Sequence, residues 1–93
     1  MASKSTIISG IRSRVEATKT SYSSWRIGLT HDLVERKKYW EENQKESVGC
    51  WTTWTADSLS DAQDIEAHFI GLGMKGGTGG DLSSWKTVYV YIF

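Results

Sequence analysis

The residues best placed to do chemistry are charged side chains on apolar helix faces. Arg36 stands three residues after Leu33 and four before Trp40, so at helical spacing it shares the apolar side of its helix. Glu66 follows Ile65 and stands four residues after Ala62, at the edge of a stripe of Ala62, Ile65, Phe69 and Leu72. A charge in such a position costs free energy unless it is paired or bound to a ligand. Tyr89 and Tyr91 alternate with Val88, Val90 and Ile92 near the end of the chain. If both helices pack on the sheet, Arg36, Glu66 and one of these tyrosines face a shared cleft. Such a cluster offers a cation for a phosphate, a carboxylate for a divalent metal, and a phenol to deprotonate a nucleophile or orient water. On periodicity alone, a salt bridge between Arg36 and Glu66 is the simpler account.

Other candidates are thinner. The run Gly-Met-Lys-Gly-Gly-Thr-Gly-Gly at 73–80 sets Lys75 and Thr78 among glycines, without the spacing or the following helix of a phosphate-cradling loop. It follows a helix and precedes a strand, which fits a helix C-cap and a flexible crossover, with Lys75 as a lesser candidate for a ligand phosphate. His31, His68 and Cys50 show no metal-ligand spacing, and Cys50 reads as a small strand hydrophobe.

The 93 residues are 39% hydrophobic and 12% aromatic, too apolar for a disordered chain and enough for one small domain. One cysteine rules out a disulfide scaffold. No stretch approaches the roughly 18 apolar residues of a membrane span, and no signal-peptide core is evident, so the expected setting is cytoplasmic and away from membranes. The 11 basic and 11 acidic residues balance, but unevenly along the chain. Residues 1–45 hold nine basic and five acidic side chains, residues 46–93 two and six. That asymmetry permits one basic face, or simply attraction between the two halves.

The elements that must position these side chains follow from periodicity. A frayed start at 1–5 leads into a helix over 6–19 carrying Ile7, Ile8, Ile11 and Val15. A strand follows over 24–29, then a helix over 30–42 for which Thr30 and Asp32 compete as N-cap. Residues 50–56 form a Thr- and Trp-rich strand, 59–72 a third helix, 73–84 a glycine-rich loop, and 85–93 the final strand. The predicted fold is a small α/β (α+β) domain. Its order is α-β-α-β-α-β, with three helices and a three-stranded mixed or antiparallel sheet.

The stretch Arg26-Ile27-Gly28-Leu29-Thr30-His31-Asp32-Leu33-Val34-Glu35-Arg36 resembles the second motif and first catalytic helix of the GIY-YIG nuclease superfamily. That motif typically reads Tyr-Ile-Gly, a variable residue, Thr, two more residues, Leu, then Arg. Gly28, Thr30, Leu33 and Arg36 match it, and Ala62 through Ile70 resembles the helix whose glutamate falls on Glu66. The resemblance implies that Glu66 holds Mg2+ or Mn2+, that Arg36 contacts the scissile phosphate region of DNA, and that tyrosines help activate water. Arg26 replaces the motif's tyrosine, and no Gly-Ile-Tyr strand precedes it. A circular permutation accounts for this: the last strand pairs beside Trp25–Leu29, and Tyr89 or Tyr91 stands in for the first motif's tyrosine.

Three function classes follow. One is a metal-dependent DNA endonuclease using Arg36, Glu66, Tyr89 and Tyr91. The second is a catalytically silent nucleic-acid binder using Arg12, Arg26, Arg36, Lys37 and Lys38, with His31 and Lys75 near the substrate. The third is a module that recruits a protein partner, or a second copy, through tryptophans or an unpaired strand edge.

Overall fold

The computed structural model describes residues 3–45, 49–76 and 87–93. The first helix, α1, spans Lys4–Ala17 and begins earlier than periodicity predicts, because Ser3 caps it by accepting from the Thr6 amide at 3.3 Å. Residues 4 and 5 are therefore helical rather than frayed. After a 3-10 turn at Tyr22–Ser24 come β1 (Arg26–Thr30) and α2 (Leu33–Lys38). Asp32 wins the competition for the α2 cap, its carboxylate accepting from the Glu35 amide at 3.1 Å. Thr30 braces the same corner, donating to the Asp32 carbonyl and accepting from the Asp32 amide. Beyond Lys38 the helix widens into a π-helical turn, Tyr39–Asn43, where α-helix is predicted to continue.

The remainder comprises β2 (Thr52–Thr55), α3 (Leu59–Gly71), β3 (Lys75–Gly76) and β4 (Tyr89–Ile92). Ser58 caps α3 by accepting from the Asp61 amide at 3.1 Å. Ser58→Ala should lower stability by about 1 kcal/mol, read as a lower urea midpoint with an unchanged m-value.

The sheet has four strands in the order β2-β4-β1-β3. The predicted three-stranded sheet, and with it the GIY-YIG-like arrangement in which the C-terminal strand replaces the usual first one, is therefore incorrect. Two residues amid glycines carry no strand signature, so β3 escapes periodicity. Gly73, at φ +118°, turns the chain after α3, and the Lys75 amide then donates to the Trp25 carbonyl at 3.0 Å, making β3 parallel to β1. β4 runs antiparallel between β1 and β2, pairing Gly28 with Tyr91 and Thr53 with Tyr91 on its two sides. Residues 77–86, which include Thr78 and most of the glycine-rich loop, lie outside the described residues, as does the start of the last predicted strand.

Alternation gives the sheet two different faces. Ile27, Leu29, Val90 and Ile92 meet Ile7, Ile11 and Val15 of α1 and Ala62, Ile65 and Phe69 of α3 in the main core. The opposite face carries Gly28 and Tyr91 and is covered by Trp40, with Leu33, Tyr39, Trp51 and Phe93 packed around them. Among the described residues no helix is long and apolar enough to cross a membrane.

Candidate functional site

The second face is organised around Tyr91, whose side chain is fully buried. Its ring lies against Gly28, the residue opposite it on β1; a Cβ there would overlap Cζ and the phenol oxygen. A glycine inside a strand often marks such a close approach. Trp51 stacks on the Tyr91 ring at 4.6 Å and 17°, and Phe93 lies nearly parallel to both rings.

Two donors converge on the Tyr91 hydroxyl. Trp40 Nε1 donates at 2.9 Å and Arg36 Nε at 3.2 Å. Trp40 and Arg36 are four residues apart, and the passage from α-helix to π turn still leaves both on the sheet side. The Arg36 guanidinium also lies 4.5 Å from the Tyr39 ring centre and 5.5 Å from that of Trp40. Arg26, reaching across from β1, sits 4.6 Å over Trp40 and donates through Nη1 to the Gly76 carbonyl. Both cations are held on aromatic faces, which orients their planar donors.

Burial pushes the Tyr91 phenol above its ordinary value of 10.0. The hydrogen bonds from Arg36 and Trp40 and the charge of Arg36 pull the other way, while the negative charge of Glu66 adds to the rise. Glu66, half-buried on α3, thus acts electrostatically on the phenol that Arg36 touches. The phenol stays protonated at neutral pH, so it can position a group but is a poor base there.

The predicted residues are therefore gathered only in part. Arg36 and Tyr91 are in contact, whereas Glu66 lies on α3, whose core residues pack on the opposite face of the sheet, and its charge contributes least to the shift at Tyr91. Tyr89 occupies the same face of β4, half-buried, opposite Thr30 and Thr55. His31 is exposed and lines a groove of about 100 Å3 with Thr30, Asp32, Glu35, Arg36 and Tyr39. Lys37 and Lys38 follow Arg36 on α2. Lys75 is exposed on β3 beside Arg26, whereas Arg12 lies on α1 and so belongs to the other side of the sheet. Among the described residues no group of three or more His, Cys, Asp or Glu side chains gathers to hold a metal.

Periodicity points to none of Trp40, Trp51 and Phe93 as parts of the site. The signals were available for two: Trp40 lies one helical turn beyond Arg36, and Phe93 stands two residues beyond Tyr91, on the same face of an alternating segment. Nothing local in the sequence connects Trp51 to Tyr91, because cross-strand register brings them together.

No family profile, curated protein or solved structure matches the chain.

Proposed function

We propose that this domain binds nucleic acid through its backbone phosphates, using Arg36 and Arg26 with Lys37 and Lys38 beside them. The observation that carries this is the pair of guanidinium groups held at 4.5 and 4.6 Å over Tyr39 and Trp40 on one face. Guanidinium is the side chain best suited to phosphate, carrying five N–H donors in a planar fork and a charge that persists at any working pH. Stacking on aromatic rings reduces the conformational freedom such a side chain would otherwise lose on binding.

The test is a titration of labelled DNA between 50 and 200 mM salt, concentrations over which phosphate contacts weaken steeply. Affinity should fall as salt rises, and Lys38→Ala, an exposed change, should reduce the logarithmic salt slope by about one unit. Arg36→Ala should weaken binding roughly tenfold or more, as loss of a charge-assisted phosphate contact implies. A salt-independent signal, or none, would remove the proposal and favour the protein-recruiting class, for which Val34 at 73% exposure is a starting point.

A second activity, phosphodiester hydrolysis, is favoured by one observation: Arg36 donates to the Tyr91 phenol, the arginine–tyrosine contact that such a scheme uses. Mg2+ or Mn2+ would supply Lewis-acid stabilisation and bound water, with Glu66 as a protein ligand and substrate phosphates as others. Arg36 would balance charge developing on the phosphate, and Tyr91 or Tyr89 would orient water. Cleavage of labelled DNA that requires the added ion and disappears in Glu66→Ala would support this activity. Binding without cleavage leaves phosphate recognition alone.

A further inference from the structure

We infer that the pocket beside Phe93 receives an unpaired nucleobase of the strand whose phosphates Arg26 contacts. The inference rests on the nucleic-acid proposal above and adds a substrate class: single-stranded DNA or RNA, or a base drawn out of a duplex. The pocket has a volume of about 280 Å3 and is lined by Thr18, Thr20, Ser24, Trp25, Gly49, Cys50 and Phe93. That is close to the lower end of the roughly 300–1,000 Å3 of small-molecule sites, a size for one base rather than a longer stretch of strand.

Its chemistry suits a base. Phe93, half-buried, gives it an aromatic wall beside the buried Trp25, and stacking on such a ring is the usual way proteins hold unpaired bases. Its hydroxyls are oriented by a relay. Trp25 Nε1 donates to Thr20 Oγ1 at 2.7 Å, and Thr18 Oγ1 donates to the Val15 carbonyl at 2.7 Å. The 2.8 Å bond between the two threonine hydroxyls therefore carries the Thr20 proton toward Thr18. With both protons committed, each oxygen keeps a lone pair for a further donor. The wall thus presents acceptors to the N–H groups along a base's pairing edge, groups that a closed duplex already uses.

Register ties the pocket to the phosphate contacts. Arg26 and Phe93 exchange both backbone hydrogen bonds, at 2.9 and 3.1 Å, so they are direct cross-strand neighbours with side chains on one face. The Phe93 ring lies 5.3 Å from Trp40, and the Arg26 guanidinium lies over that same indole. A phosphate at Arg26 and a base at Phe93 are accordingly served by facing residues of paired strands.

Cys50, the one cysteine, is exposed at the pocket and reports on its occupancy. The alkylation rate of Cys50 by iodoacetamide is measured on the intact chain with saturating single-stranded DNA, with RNA of the same sequence, and with the blunt duplex. Either single strand should slow alkylation several-fold, the stronger one identifying the polymer, while the blunt duplex leaves the rate near that of the free protein. Ser24→Phe, which fills the pocket from an exposed position, should weaken single-strand binding roughly tenfold, within what one stacked base contributes, and spare duplex binding. Unaltered alkylation while a single strand is demonstrably bound would overturn the base site and leave phosphate recognition standing. The unsubstituted chain gives that answer even if Ser24→Phe fails to fold. No binding of any polymer at low salt would remove both proposals.

Discussion

Gly28→Ala is expected to destabilise the domain by about 2–3 kcal/mol, at the upper end of what overpacking a core costs. The added methyl would occupy the space of the Tyr91 ring, and that ring has nowhere to go. Trp51 and Phe93 stack against it, and Trp40 and Arg36 hold its hydroxyl. For a chain of this length the loss should appear as a melting temperature lower by about 10–20 °C. The same change in a Tyr91→Ala background should cost far less, because the ring it strikes is gone. A double-mutant cycle with near-zero coupling would show that Gly28 matters for backbone conformation and not for the ring. If α2 stays folded, the displaced ring should also cost DNA affinity, since Arg36 is oriented by Tyr91.

Tyr91→Phe isolates the hydroxyl from the ring. It leaves the Trp40 Nε1–H and Arg36 Nε–H facing an apolar edge, and a buried donor left without its acceptor costs about 1–3 kcal/mol. The variant should therefore melt lower even though its core gains no cavity. It should also change the alkaline limb of the stability profile. Because the phenol titrates higher in the folded chain than the 10.0 of an exposed tyrosine, the folded state retains the proton more strongly. That contribution is fully present below pH 10 and is lost as pH rises through the folded value. Urea midpoints measured from pH 8 upward should fall above pH 10 in the parent and fall less steeply in Tyr91→Phe. Parallel curves would mean that Tyr91 is not the group responsible. Arg36 should keep its charge in both proteins, so loss of DNA affinity in Tyr91→Phe reports orientation and not electrostatics.

Several features of the fold were legible because they depend on neighbours in sequence. Ile7, Ile11 and Val15 of α1 and Ala62, Ile65 and Phe69 of α3 are buried as three- and four-residue spacing predicts, whereas Leu72 at the end of the predicted α3 stripe is exposed. Asp32 and Ser58 cap their helices through acceptor side chains, each chosen by the structure from two candidates that the sequence leaves open, Thr30 being the other for α2 and Ser60 for α3. The apolar alternation at 88–92 marks a strand, and β4 is central in the sheet and buried on both faces. Arg36 on an apolar helix side was a local anomaly, and the structure gives its reason: a phenol and two aromatic rings occupy that side.

What the linear pattern misses depends on contacts between residues far apart. β3 is a strand because Trp25 accepts its amide, not because lysine and glycine favour extended backbone. The π turn follows Lys38 with no breaker in the sequence, and it places Trp40 where its indole reaches Tyr91. Local pattern was enough to show which helix faces are apolar and that Arg36, Glu66 and the terminal tyrosines need explaining, since periodicity acts over three or four residues. Tertiary structure alone decided that the sheet has four strands, that Tyr91 lies on Gly28, and that Arg26 and Phe93 face one another. Those outcomes are set by strand order and register, which depend on which distant segments bury the most apolar surface together.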